Sequence, residues 1–215
     1  MRNETGFSIK GDTMKETIHL TLTLKPGKGN LSSFSPLLQQ GFWVTIRIGT
    51  SIKQLLCDQF AVEADYLMQR ISTILLDGKP VDDVETASLK DGSTLALAAA
   101  MPGLVGATMR RGGYYAALRN TITHQENGTT VDGQAQGKVK IKLFSQIIPE
   151  LGPLFLEAGI GLERQDAGTF FENQFDSLKP IISSAEKDGQ KIDPNRLATL
   201  KRPEDVILKV IGAMA

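Results

Sequence analysis

The sequence predicts an α+β protein in two parts. Residues 14–101 read as a strand-strand-helix-strand-strand unit. Residues 102–215 read as a mostly helical region with one additional strand, and residues 1–13 as a flexible N-terminal extension. Three observations lead there. Apolar and polar residues alternate over 17–24, 42–48 and 138–143, the period-2 signature of half-buried strands. Apolar residues recur at helical spacing after Ser51 and again through much of 147–211. Asp77-Gly78 and Asp91-Gly92 punctuate the first half as tight turns.

Thr17 to Leu24 sets Ile18, Leu20, Leu22 and Leu24 against Thr17, His19, Thr21 and Thr23. Threonine enrichment with strict alternation makes this a strand with one buried face, and order is expected to begin at Met14. Lys25-Pro26-Gly27-Lys28-Gly29-Asn30 lacks the spacing and the Ser/Thr of a phosphate-binding loop and reads as a connecting loop. Phe42 to Ile48 is the second strand. Ser51, with Gln54 three residues later, has the form of a capping box, and Ile52, Leu55, Leu56 and Phe60 follow at helical spacing. Cys57 lies in this helix and reads as a small core residue. Ile71–Leu76 is the third strand and runs into Asp77-Gly78. Thr94–Ala98 is the fourth.

In the second half, Lys138 to Leu143 alternates aliphatic residues with three lysines. Such a strand has a solvated face, or is an edge whose lysines block further pairing. Ile147, Ile148, Leu151, Leu154 and Phe155 predict a helix bent or broken at Gly152-Pro153. Phe170, Phe171, Phe175, Leu178, Ile181 and Ile182 form another apolar stripe, interrupted by Pro180. Arg202-Pro203-Glu204-Asp205 suits a helix start, and Val206, Ile207, Val210 and Ile211 would be the apolar face of that last helix.

Composition excludes several functions. The chain has 215 residues, with 24 Lys plus Arg against 24 Asp plus Glu. Net neutrality argues against a dedicated nucleic-acid binder. A single cysteine excludes a disulfide framework and a multi-cysteine metal site. Two histidines leave little for a histidine-based metal site, so neither metal nor cofactor is expected. No apolar run reaches the ~18 residues of a membrane helix, and Met1–Gly6 has no apolar signal region. A cytoplasmic protein is expected. There is no Gly-x-Ser-x-Gly, no metal-ligand spacing and no dinucleotide fingerprint. The paired acids Asp82-Asp83 and Glu204-Asp205 sit beside turn or helix-start signals, where acids are common.

Three stretches carry a resemblance. They are Gly49-Thr50-Ser51-Ile52-Lys53-Gln54-Leu55-Leu56, Ile74-Leu75-Leu76-Asp77-Gly78-Lys79-Pro80-Val81 and Leu89-Lys90-Asp91-Gly92-Ser93-Thr94-Leu95-Ala96-Leu97. In this order they resemble the β-grasp (ubiquitin-like) fold, and within it the MoaD/ThiS-like sulfur carriers. The resemblance covers residues 14–101, with an enlarged first loop at 25–41. It implies chemistry at a free Gly-Gly chain end, which is adenylated and converted to a thiocarboxylate inside a partner enzyme. This chain departs from that pattern. Its last strand is followed by Ala99-Ala100-Met101-Pro102-Gly103 and a long continuation, and it closes on Gly212-Ala213-Met214-Ala215. The one Gly-Gly pair lies in Arg110-Arg111-Gly112-Gly113, a tail-like motif. Its neighbours Leu104, Val105, Met109, Tyr115 and Leu118 also fit a helix-loop in which the glycines permit close packing. The expected function is a non-catalytic β-grasp interaction or accessory module with a protein partner. The alternatives are a sulfur carrier released by cleavage after Gly113, or a small-molecule binder with a pocket between the two parts.

Overall fold

The computed structural model describes residues 17–27, 29–119, 121–125, 135–197 and 205–212. The expected extension 1–13 and most of the polar stretch 127–137 lie outside them. In chain order the elements are β1 (Thr17–Leu24), α1 (Ser35–Gln40), β2 (Phe42–Arg47), α2 (Ala64–Gln69), β3 (Thr73–Leu76), β4 (Lys79–Pro80), β5 (Thr94–Ala98), α3 (Gly103–Met109), β6 (Gln136–Phe144), α4 (Ile147–Ala158), β7 (Ile160–Leu162), α5 (Arg164–Leu178), β8 (Ile182–Lys187), β9 (Gln190–Ile192) and β10 (Asp205–Ile211). Short 3-10 turns at Asn30–Phe34, Tyr114–Arg119 and Pro194–Arg196, and a π-helical turn at Gln54–Gln59, complete the described residues.

All ten strands join one mixed sheet in the order β4-β3-β5-β6-β2-β7-β10-β1-β8-β9. This overturns the expected fold class of a small β-grasp N-terminal domain followed by a mostly helical region. β1 does not pair with β2. It lies parallel to β10 and antiparallel to β8. β2 pairs instead with β6 and, through Trp43 and Gly161, with β7. Residues 102–215 therefore supply five strands. The physical reason is that alternation shows a strand has a buried face without showing which strand lies beside it. α1 carries the chain across the sheet after β1, so β1 and β2 are not neighbours.

Two further expectations change. The last helix, expected from Arg202, is strand β10. Its apolar residues are nearly continuous, so both periodicities fit, and pairing with β1 decides: Val206, Leu208 and Val210 are buried and alternate. α4 continues through Pro153 to Ala158, because Leu151, Phe155 and Leu156 on one face are held in the core. The lysines of β6 lie on the solvent side of an interior strand, not on an edge.

The helices pack on one face of the sheet. Ile18, Leu20 and Leu22 of β1, Phe42 and Val44 of β2, Val139 and Ile141 of β6 and Leu208 of β10 point into that layer and are buried. Phe155 of α4 sits 5.1 Å from Phe42 and 4.5 Å from Phe60, centroid to centroid. Phe34 meets Phe170 of α5 at 5.9 Å. The other face carries Thr17, His19, Thr45, Arg47, Lys138, Lys140 and Lys142, the polar half of the same alternation.

The chain is an internal duplication. Ile71-Ser72 returns as Ile182-Ser183, Asp77-Gly78 as Asp188-Gly189 and Asp82 as Asp193. Ala87-Ser88-Leu89-Lys90 returns as Ala198-Thr199-Leu200-Lys201 and Leu97 as Leu208, at unchanged spacing. The backbone repeats too. Asp77 and Gly78 have φ of 50° and 78°, and Asp188 and Gly189 have 50° and 77°, the left-handed pair that a tight hairpin requires. Pro36-Leu37 in α1 and Pro153-Leu154 in α4 each precede a glycine of positive φ, Gly41 at 111° and Gly159 at 100°, that opens the next strand. Each repeat thus runs strand-helix-strand-helix-hairpin-strand. β1, β2 and β3 run one way along the sheet and β6, β7 and β8 the other, so an approximate two-fold axis passes near Trp43 and Gly161. In both half-sheets the parallel pair joins the first strand of one repeat to the last strand of the other, β6 with β5 and β1 with β10. The correspondence fails in one place. Counted inward from the outer hairpin the order is β5 then β6 on one side, but β1 then β10 on the other.

Candidate protein interface

Residues 99–135 join the two repeats and have no counterpart elsewhere in the chain. Their described part is a helical hairpin. α3 begins after Pro102 and ends at Arg110, which turns extended. Gly112, at φ 62°, makes the bend, Gly113 donates its N–H to the Arg110 carbonyl at 3.2 Å, and the 3-10 turn Tyr114–Arg119 runs back beside α3. Gly106 within α3 leaves no room for a side chain: a Cβ there would run into the Met101 carbonyl at the entry to the helix.

Two arginines hold this hairpin. Arg119 is 3% exposed. Its guanidinium makes a two-pronged ion pair with Asp82, at 2.9 and 2.7 Å. It also donates to the carbonyl oxygens of Thr108 at 2.6 Å and Arg110 at 3.3 Å, and to Thr123 Oγ1 at 2.9 Å. A buried guanidinium is tolerable only when its donors are satisfied in this way. Arg111 donates to the Leu67 and Met68 carbonyl oxygens at the end of α2, at 2.7 and 3.1 Å, and its backbone N–H to Ser72 at 2.8 Å. Burial pulls the Arg111 pKa below the ordinary guanidinium value. The His124 N–H reaches the Pro80 carbonyl at 2.8 Å, laying the end of the hairpin segment along the edge strand β4.

Of the tail-like motif, Arg110 is exposed, Arg111 faces inward, and Gly112 and Gly113 form the bend of a pinned turn. The structure brings Arg111 to α2 and leaves Arg110 free at the rim. Asp82, noted in the sequence only as a turn acid, anchors the site. Arg119 carried no sequence signal, because its partner is remote in the chain.

The hairpin turns Arg119 and Arg111 inward and exposes several of its apolar side chains. Leu104 is 69% exposed, Val105 66%, Tyr114 92% and Leu118 73%, and Met68, Met101, Tyr115 and Ile122 around them are exposed as well. Tyr114 and Tyr115 stack edge-on at 5.1 Å.

The remaining surface offers open grooves. At the β2–β7 junction a groove of about 340 Å³ runs over the solvent face of the sheet, past Trp43, Lys138, Gly161, Glu163 and Ile207. It lies open on the sheet surface, where an enclosed pocket between two parts would be needed for the small-molecule reading. Several polar groups in it and beside it are engaged with one another. Trp43 Nε1 donates to Glu163 Oε1 at 3.1 Å, Lys140 Nζ lies 5.5 Å from the Trp43 ring, and Asp166 takes Gln40 at 2.9 Å and Lys140 at 3.6 Å. A larger groove of about 810 Å³ runs past Thr45, Arg47, Gln54 and Asp58. Cys57 is partly buried, and desolvation pushes its thiol pKa up, away from the reactive thiolate. Among the described residues, no three His, Cys, Asp or Glu side chains are grouped to hold a metal ion. No described helix is long and apolar enough to cross a membrane. No protein-family model, no curated protein and no solved structure matches the chain.

Proposed function

We propose that this chain is a non-catalytic protein-interaction module that acts in the cytoplasm and binds a protein, rather than nucleic acid or membrane, through the hairpin of residues 103–119. The observation that carries the reading is the inverted packing of that hairpin: Arg119 is buried and bonded, while Leu104, Val105, Tyr114 and Leu118 face water. A rigid apolar surface loses little entropy on docking, which favours protein recognition. The resemblance of the three sequence stretches to sulfur carriers would make this an accessory protein that kept interaction and set aside tail chemistry. Gly112-Gly113 in its pinned turn supports that form of the reading over the processed carrier.

A photocrosslinking residue placed at Leu118 in the native cell tests it. The expected result is a discrete protein adduct from Leu118 and none from the same residue at Lys191, on the far hairpin. Absence of an adduct at Leu118, or equal adducts at both positions, would refute it.

A further inference from the structure

We infer that the partner seated on the hairpin is a second copy of this chain, related by a two-fold axis. The inference rests on the interface reading above and specifies its occupant.

Area is the first argument. With ordinary residue surface areas, the exposures of Leu104, Val105, Tyr114, Tyr115 and Leu118 on the hairpin, with Met101 before it and Met68 and Ile122 on segments bonded to it, total on the order of 1,000 Å². That meets the ~800 Å² that each partner contributes to a standard interface.

Charge is the second argument. Between Leu104 and Leu118 the charged residues are Arg110 and Arg111, and Arg111 is spent on α2. Interfaces depleted of charge at their centre and rich in aliphatic and aromatic groups are the kind that joins identical subunits. Exposed charges of both signs are available. Arg110 is exposed on the hairpin, and Glu63 and Asp65 are exposed at the start of α2, whose other end Arg111 holds. A two-fold axis through the hairpin can set the cation of one copy toward the acids of the other, the self-complementarity an isologous contact needs.

Sedimentation velocity of the full chain from 1 to 100 µM tests this, with Leu104→Glu/Leu118→Glu and Tyr114→Ser as variants. All three positions are exposed, so circular dichroism and the thermal midpoint are expected to stay at the wild-type values. The expected result is a dimer with Kd at or below the low micromolar range, weakened at least 100-fold by the double substitution and about tenfold by Tyr114→Ser. A wild-type monomer throughout the range would overturn the inference. So would a dimer that persists in the double variant, or a monomer that floats with lipid vesicles through the hairpin. A monomer that still gives an adduct with a different protein from Leu118 would sink the self-association and leave the interface reading standing. A monomer with no adduct would remove both.

Discussion

Cutting the chain between its repeats should not separate them. A protease site introduced between Gln125 and Ala135 and cut after folding divides the molecule into a piece ending before β6 and a piece beginning with it. If each piece were a domain, the two would part. In this sheet β1 of the first piece lies between β10 and β8 of the second, and β6 of the second lies between β5 and β2 of the first. Separation would uncover Ile18, Leu20, Leu22 and Leu24 on β1 and Val139, Ile141 and Leu143 on β6, all now buried. At ~1.5–3 kcal/mol for each fully buried aliphatic side chain, these seven contribute roughly 10–20 kcal/mol. That is an upper bound, because separated pieces would partly re-cover them. The opposing cost of association is about 4–15 kcal/mol. The facing residues Leu95 and Leu97 on β5 and Val206, Leu208 and Val210 on β10 lose cover as well. With these added, the balance favours a complex that holds at about 1 µM. The nicked protein is expected to elute as one species in gel filtration at 1 µM. Fragments purified in urea are expected to remain unfolded alone and to recover native circular dichroism on mixing. Two fragments that separate at 1 µM, each with its own cooperative melt, would refute the interleaved sheet.

Gly41→Ala is expected to destabilise by about 1–3 kcal/mol, the usual cost of forcing a side chain into a glycine-only backbone region. Its φ is 111°, and a Cβ would meet Lys142 Cγ at 3.0 Å. Gly159→Ala, with only Ile207 Cγ2 nearby at 3.6 Å, should cost less, and urea titration of both variants ranks them. Glu150 ties α4 to α2 by accepting from Arg70 Nε at 2.9 Å and from the Tyr66 hydroxyl. The Arg70 hydrogen bond holds its carboxyl below the usual carboxylate range, so its contribution is present above the unfolded-state pKa and is lost as pH falls through the folded one. Wild type should therefore lose more stability than Glu150→Gln between pH 6 and pH 3 in thermal melts. Equal losses would place the acid sensitivity elsewhere.

What could be read locally is present in the structure. β2, β5 and the turn at Asp77-Gly78 lie where alternation and turn chemistry put them. The capping box is real: Ser51 Oγ accepts the Gln54 N–H at 3.2 Å, and Gln54 Oε1 accepts the Ser51 N–H at 3.0 Å. These signals depend on near neighbours in the chain. Pairing does not. The Ile18-to-Leu24 alternation is satisfied equally beside β2 or beside β10, and the expectation that consecutive strands pair chose wrongly. The repeat was legible, since Asp77-Gly78 through Leu97 aligns without a gap to Asp188-Gly189 through Leu208, but only to a comparison of the chain with itself. That comparison marks Asp205–Ile211 as the counterpart of β5, and so as a strand. On the hairpin of residues 103–119, Leu104, Val105 and Leu118 look the same in sequence as a core stripe. Their exposure follows from Arg119 turning toward Asp82, a partner 37 residues away that no local pattern announces.

The duplication also bears on where a distinctive function can sit. Helices, hairpins and the glycine-led strand entries occur twice, and what occurs twice is accounted for by the demands of the common fold. β5 and β6 are adjacent and parallel, so closure needs a crossover of a dozen or more residues. The segment from Ala99 to Ala135 is about three times that. A connection with no task beyond closure would keep polar groups in water and apolar groups under cover. This one does the reverse at a cost, desolvating Arg119 and satisfying it through Asp82, Thr108, Arg110 and Thr123, while Leu104, Val105 and Leu118 stay exposed. Arg119 and Arg111 together fix the arrangement, and it leaves an apolar surface that would gain free energy on being covered. The part of the chain that the fold does not require is thus the part on which the proposed interface reading rests.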